Sequence, residues 1–405
     1  MSNGNITLIS SISGLFTISG YQLQGCYQST KTVAMIGIFA SFASLNLSWI
    51  SIMPDNYYVG NSSSFLLSTI TSSNLTINNI SIIIGNSSNY LKIGSIVSSD
   101  SANIYYQFGG VLAVYTFTNI EINSLLHQSF IHVKTDYVSI SGFLIGYSTS
   151  SNDNITINNI CFQQNMTSSI SQQNYTQFGI LGNCDGKTRL LNLRVSIYAQ
   201  GKYFINVAII GVQTSLSTEM SNIVIVMIIS HNDNLLGSVA ALISYMNCEN
   251  FSILNTTVLN SNISSYGDVS GLIGYSTLVN KNITILNSTV FNSTISAINN
   301  VTAFVSYFAF TNVTISNSTV NLSNISANIN SGGFIGYGAS SNVTINNSTI
   351  STVRITGIGN GFIIGCDNLN TYHLTNSKSI GTNYIGGTVQ GNCPSFTNAL
   401  VPKGC

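Results

Sequence analysis

From about residue 30 onward, apolar and polar positions alternate in period two over short runs, and the runs recur along the chain. In Asn312-Val313-Thr314-Ile315 the apolar Val313 and Ile315 fall on one side of an extended strand, and Asn312 and Thr314 on the other. The same run returns as GLIGYSTLVNKNITILNSTV from Gly271, AFVSYFAFTNVTISNSTV from Ala303 and GFIGYGASSNVTINNSTI from Gly333. Weaker copies begin at Ala34, Val111, Phe143, Gly179, Ala208 and Ala241. A Gly or Ser anchor falls at Gly146, Gly182, Gly211, Ser244, Gly274, Ser306, Gly336 and Gly365, at intervals that drift around 31 residues. Further apolar pairs follow as Val258/Ile263, Val290/Ile295, Val320/Ile325 and Ile350/Ile355.

A unit of that length cannot bury its own apolar face, but stacked units bury a shared one. The content of Ile, Val and Thr favours strands over helices. The pattern predicts an all-β chain forming a single right-handed parallel β-solenoid (β-helix), of about 10–11 coils of roughly 31 residues with three short strands per coil. Residues 1–30 read as an N-terminal coil or incomplete repeat, 31–380 as the solenoid, and 381–405 as a Cys-containing tail, the expected start of a Cys-rich region. Ile285, Ile315 and Ile345 should stack in one interior column.

Asparagines five residues apart mark the repeats. The first members are Asn74, Asn154, Asn250, Asn282, Asn312 and Asn342, and the second members are Asn79, Asn159, Asn255, Asn287, Asn317 and Asn347. On an uninterrupted strand an offset of five reverses the facing. The second members are therefore expected inside, as a hydrogen-bonded structural Asn ladder at a bend, because buried amides are tolerated only when bonded. The first members are expected outside. Twenty-three Asn-x-Ser/Thr sequons run from Asn5 to Asn347, and the outward first members are the candidate N-glycosylation acceptors. Tyr115, Tyr147, Tyr245, Tyr275, Tyr307 and Tyr337 follow the anchors and are expected to form an aromatic stack, or a sugar-binding platform if the rings face solvent.

Composition narrows the function classes. Only 5% of residues are charged, with 11 basic and 11 acidic, so there is no basic stripe for nucleic acid and no polybasic cluster for acidic lipid. With 44% of residues apolar, disorder is also excluded. The nearest candidate for a membrane span, the uncharged stretch Val33 to Met53, is interrupted by Ser41, Ser44, Asn46, Ser48 and Ser51 and aligns as two strands of a repeat. The seven cysteines, Cys26, Cys161, Cys184, Cys248, Cys366, Cys393 and Cys405, form no CxxC pair. Several are expected as small buried hydrophobes, and Cys393 and Cys405 as the beginning of a disulfide region. The N-terminus lacks the charged and apolar regions of a signal peptide, and the chain is expected to be a fragment of a longer surface protein.

The segments GLIGY, GFIGY, FLIGY and AFVSY resemble the GLUG-type repeat over roughly residues 30 to 370. That family occurs in large secreted and surface proteins, including adhesins. The resemblance implies a right-handed parallel β-helix in an adhesive or stalk role, with no catalytic residue to carry over.

Candidate chemistry is sparse. Asp153, Asp185, Glu219 and Glu249, with Lys187 and Arg189, fall in or beside the turns of successive repeats and form the best acidic cluster. A polysaccharide lyase or hydrolase on a β-helix would need such carboxylates paired in a groove. His127, His132, His231 and His373 lack metal-ligand spacing, and no metal or cofactor is expected. Thr76, Thr156, Thr284, Thr314 and Thr344 form a column of the kind an ice-binding solenoid uses. The expectation is a non-enzymatic extracellular or cell-surface repeat protein, an adhesin or an extended stalk. Its partner would be a host or neighbouring cell surface, through a protein or glycan ligand. Membrane attachment would come only through a segment absent from this chain. The alternatives are a carbohydrate-active β-helix enzyme and an ice-binding solenoid.

Overall fold

The structure is a computed structural model. It describes strands and turns between residues 11 and 386, continuously over 238–276, 281–309, 311–339 and 342–357, with connecting segments such as 28–39, 94–105, 169–175 and 232–237 outside the description. The described residues form an all-β parallel solenoid of about six coils, each of about 32 residues, with almost no helix. Two units divide the chain: Met1–Phe204 with Ile210–Ser215, and Ile205–Ile209 with Leu216–Cys405.

In the second unit one coil runs through strands Thr311–Ser316, Thr319–Asn321, Asn324–Ala327, Asn330–Gly332 and Ile335–Ala339. The first three carry the apolar pairs that define the repeat, and two further segments lead through the Gly/Ser anchor. Each strand pairs in parallel with its counterpart one coil before and one coil after. The register places Ile253, Ile285, Ile315 and Ile345 one above another, all with no exposed surface, which is the interior column the repeat predicts. Val258, Val290, Val320 and Ile350 form a second buried column, and Ile263, Ile295, Ile325 and Ile355 a third. Burying one such side chain stabilises a coil by roughly 1.5–3 kcal/mol.

The anchor pattern has a steric cause. Both large residues before the anchor are buried: Leu272 and Ile273, Phe304 and Val305, Phe334 and Ile335. The chain bends just before these pairs, at Gly271–Leu272 and Ala303–Phe304, so the strict alternation of a flat strand does not apply. Phe304 and Phe334 meet edge to face at 4.9 Å between ring centroids. A Cβ at Gly274 would lie 2.6 Å from the Ser244 carbonyl oxygen, and one at Gly336 2.7 Å from that of Ser306. Ser and Gly thus alternate along the anchor column, from Ser244 and Gly274 to Ser306 and Gly336.

The first unit uses longer strands: Leu67–Ile84, Leu112–Val133, Asn154–Ser168 and Lys187–Gly201. The stretch Val33 to Met53 contributes to strands Ala40–Ser48 and Ser51–Tyr57, as its alignment predicts. Among the described residues no helix is long and apolar enough to cross a membrane.

One interior column of this unit holds a titratable group. His127 lies in register between Ile82 and Phe162, is fully buried, and stacks on Phe162 with 4.5 Å between centroids and 7° between planes. Burial lowers its pKa from 6.5 to about 3. The folded chain therefore holds His127 neutral, while the unfolded chain takes up a proton below about pH 6.5. Its contribution to stability is complete above that pH and declines as pH falls from 6.5 towards 3, by about 1.4 kcal/mol per unit. Denaturant midpoints at pH 7 and pH 5 should show this as a loss of about 2 kcal/mol that His127→Phe, which preserves the stacked ring, removes. An unchanged pH dependence in that variant would refute the assignment.

Candidate functional site

The polar residues of the repeat form columns, and these columns are the candidate surface. The first-of-pair asparagines are exposed, as expected. In the second unit their amides bond from coil to coil: the Nδ2 of Asn282 donates to the Oδ1 of Asn250 at 3.2 Å, Asn312 to Asn282 at 3.2 Å, and Asn342 to Asn312 at 2.9 Å. In the first unit Asn119 donates to Asn74 at 2.9 Å and Asn154 to Asn119 at 3.1 Å. Asn119 completes that column although its repeat lacks a second asparagine, Ser124 standing there instead. The shared Asn-x-x-x-Asn-Asn/Ser spacing of these strands was its only sequence signal.

The second-of-pair asparagines correct the expectation. Asn79, Asn159, Asn255, Asn287, Asn317 and Asn347 are all exposed, not buried. Each has a positive φ, between 48° and 55°. Opposite facing would require an extended chain between the two asparagines. A left-handed residue turns the strand by a corner, and the alternation starts afresh after it. Asn is the side chain besides Gly that tolerates this conformation best. The corner amides also form an external ladder: Asn287 donates to Asn255 at 3.2 Å and Asn255 to Asn222 at 3.1 Å.

The buried polar column lies one residue further on. Thr256, Ser288, Ser318, Ser348 and Ser377 are buried. The backbone N–H of Ser288 donates to the Oγ of Ser318, Ser318 to Ser348, and Ser348 to Ser377, each at 3.2 Å. Each hydroxyl in turn donates to the carbonyl two residues before it, as Ser318 does to Ser316 at 2.9 Å. A second corner repeats the device with Asn260, Asn292, Leu322 and Thr352 at positive φ and Ser261, Ser293 and Ser323 behind them. Asn-Ser-Thr and Asn-Thr-Thr, which spell sequons, are here a corner asparagine, an inward hydroxyl and an outward threonine.

Tyr245, Tyr275, Tyr307 and Tyr337 are partly exposed and stack ring on ring, with centroids 5.7, 4.6 and 5.2 Å apart and planes within 22°. The rings cover one another's faces, so the column presents edges and hydroxyls to solvent. Burial, and then the neighbouring tyrosines, raise the pKa of Tyr275 and of Tyr307. Tyr115 and Tyr147 do not share a register, because Tyr147 pairs with Val114 and Tyr115 with Ser148. The Asn300 amide donates to Asp268 at 2.7 Å, and Asn330 donates to Asn300 at 2.7 Å. Burial raises the Asp268 pKa, and the two Asn300 hydrogen bonds oppose it.

Of the acidic cluster, Glu219 is half-buried on strand Ser217–His231, and Glu249 is exposed in the bend before the strand that pairs with it, Asn250–Leu254. Asp153 and Asp185 lie outside the described residues, as do Cys393 and Cys405. Lys187 and Arg189 project outward from one strand. Cys161 is exposed and Cys248 buried. Thr284, Thr314 and Thr344 pair in register and are half-exposed.

No family model matches the chain, and neither a curated protein nor a solved structure shows significant similarity to it.

Two substitutions test the corner chemistry. Ser318→Ala leaves the buried Ser288 N–H without its acceptor and should cost about 1–3 kcal/mol, while Ser318→Thr should largely retain stability. Leu322→Asn places a tolerant residue at a φ of 50° beneath the Asn292–Asn260 bond of 2.8 Å and should stabilise by about 1 kcal/mol. Urea unfolding midpoints decide both, and a neutral Ser318→Ala would remove the inner ladder's energetic role.

Proposed function

We propose that this chain is a non-enzymatic repeat scaffold of a secreted or cell-surface protein, serving as an adhesin or an extended stalk, in the manner of the GLUG-type repeats that its GLIGY and GFIGY segments resemble. The observation that carries the reading is the use of outer polar groups as inter-coil bonds. The amides of Asn250, Asn282, Asn312 and Asn342 join successive coils on the solvent face. A surface so poor in charge, with 5% charged residues overall, presents amides and hydroxyls to its surroundings. Such columns reinforce the stack along its axis, a property of use to a support that bears load. Attachment to a membrane would come through a different segment, and binding to a neighbouring surface through a protein or glycan ligand.

Two measurements test the reading. Antibodies against the chain should label intact, unpermeabilised cells or the medium around them. Purified chain should leave a panel of acidic and neutral polysaccharides uncleaved while resisting extension in single-molecule pulling. Polysaccharide cleavage, abolished by Glu219→Gln or Glu249→Gln, would replace the scaffold with the enzyme. Labelling confined to the cell interior would overturn the surface role.

A further inference from the structure

We propose that Asn317 and Asn347, the first-corner residues of successive coils, are N-glycosylation acceptors, and that a folded chain carries an oligosaccharide on one of these two in preference to the flat column of Asn282, Asn312 and Asn342. The proposal rests on the extracellular reading above and names the modification that this surface takes.

Both columns spell sequons in every coil: Asn282-Ile-Thr, Asn312-Val-Thr and Asn342-Val-Thr on the flat face, Asn287-Ser-Thr, Asn317-Ser-Thr and Asn347-Ser-Thr at the corner. All six asparagines are exposed, so exposure does not separate them. Their hydrogen bonding does. The flat-face amides are tied into a continuous chain of inter-coil bonds of 2.9–3.2 Å. A saccharide on Asn282, Asn312 or Asn342 takes one N–H of an Nδ2 that already donates to the coil before it, whereas the crowding from coils about 4.8 Å away is common to both columns. The corner ladder runs through Asn222, Asn255 and Asn287, and among the described residues no amide bond continues it from Asn287 to Asn317. Among the described residues the Asn317 and Asn347 side chains make no inter-coil amide bond, and each is free to rotate into solvent. Their φ of 51° and 48° sets them on a bend of the chain, where an attached group is carried away from the flat face. The backbone beneath is held independently of the amide. The Ser318 hydroxyl is bonded to the Ser316 carbonyl and the Ser288 N–H, and the Ser348 hydroxyl to the Asn346 carbonyl and the Ser318 N–H. The sequon threonines, Thr319 and Thr349, point outward on the following strands.

The chemistry balances with a lipid-diphosphate-linked oligosaccharide as donor. The asparagine Nδ2 attacks the anomeric carbon, the N–C1 bond forms, and the C1–O bond to the diphosphate breaks. The diphosphate leaves on its lipid, and one amide proton passes to a base of the transferase. The coil spacing leaves no width for sugars on both Asn317 and Asn347 of one molecule.

The test uses the full chain behind a secretory leader in a glycosylating eukaryotic host, so that its natural location does not enter. The secreted, protease-resistant material is digested with trypsin, which releases Asn282–Arg354 as one fragment because no Lys or Arg lies between residues 282 and 353. Enzymatic deglycosylation in ¹⁸O-water, carried out on the denatured intact chain before trypsin makes Asn282 N-terminal, marks every occupied asparagine. Label at Asn317 or Asn347, at least ten-fold above that at Asn282, Asn312 and Asn342, is the expected result. Thr319→Val combined with Thr349→Val, which keeps both asparagines and hence the corner, should abolish that label. Equal or greater label on the flat column, or folded secreted chain with no corner label, overturns the proposal. Failure of the surface role itself would show separately, in the labelling of intact cells.

Discussion

The buried backbone N–H at each corner is the constraint on which the second unit depends. A parallel coil must turn several times per circuit, and at its two left-handed corners an amide points along the axis to a side-chain hydroxyl rather than to a carbonyl. Inside an apolar core such a group costs on the order of 1–3 kcal/mol if left unbonded. The solution is local and repeated. A left-handed residue makes the corner, and the hydroxyl of the next residue supplies the missing acceptor to the coil before it, as Ser318 does for Ser288. Each hydroxyl in turn donates to its own chain, so no polar atom in these bonds is left over. Because every coil depends on its neighbour for this acceptor, the corners tie the stack together one coil at a time.

The outer columns follow from the same geometry. Once the corners hold the coils in register, identical outward residues stand one strand spacing apart, and amides at that distance bond to each other. Tyrosines at that distance stack, which is why Tyr275 and Tyr307 lie 4.6 Å apart. The facing rings leave only edges to solvent, an arrangement suited to stabilising the stack rather than to receiving a sugar against a ring face. Surface and core are thus stabilised by one principle, repetition at a fixed spacing. A substitution in one coil is felt in the coils on either side.

The two units satisfy the fold differently. Behind the corners of the first unit stand Ile80, Leu125 and Ile160, and Ile223 follows the first corner of the second unit, where the later coils have Thr256, Ser288, Ser318 and Ser348. The first unit also admits His127 to its core, where a planar ring stacks as Phe162 does but carries a titratable nitrogen. It therefore has an acid-sensitive element that the hydroxyl ladder of the second unit lacks.

The sequence by itself determined the class of fold, the repeat length and the interior columns. Alternation in period two names the inward residues of each strand, and recurrence near 31 residues names the stack, so Ile285, Ile315 and Ile345 could be aligned from the residues alone. The outward asparagines Asn282, Asn312 and Asn342 followed from the same alternation. Only the tertiary structure decided what happens at a corner. A single left-handed residue breaks the alternation, and nothing in a count of five residues distinguishes a strand that continues from one that turns. The inward role therefore falls to Ser318 rather than to Asn317. The same limit held at the anchors, where a bend buries Phe334 and Ile335 together. Alternation is a property of straight strands, whereas the corners and bends are settled by the carbonyls and side chains of the neighbouring coil.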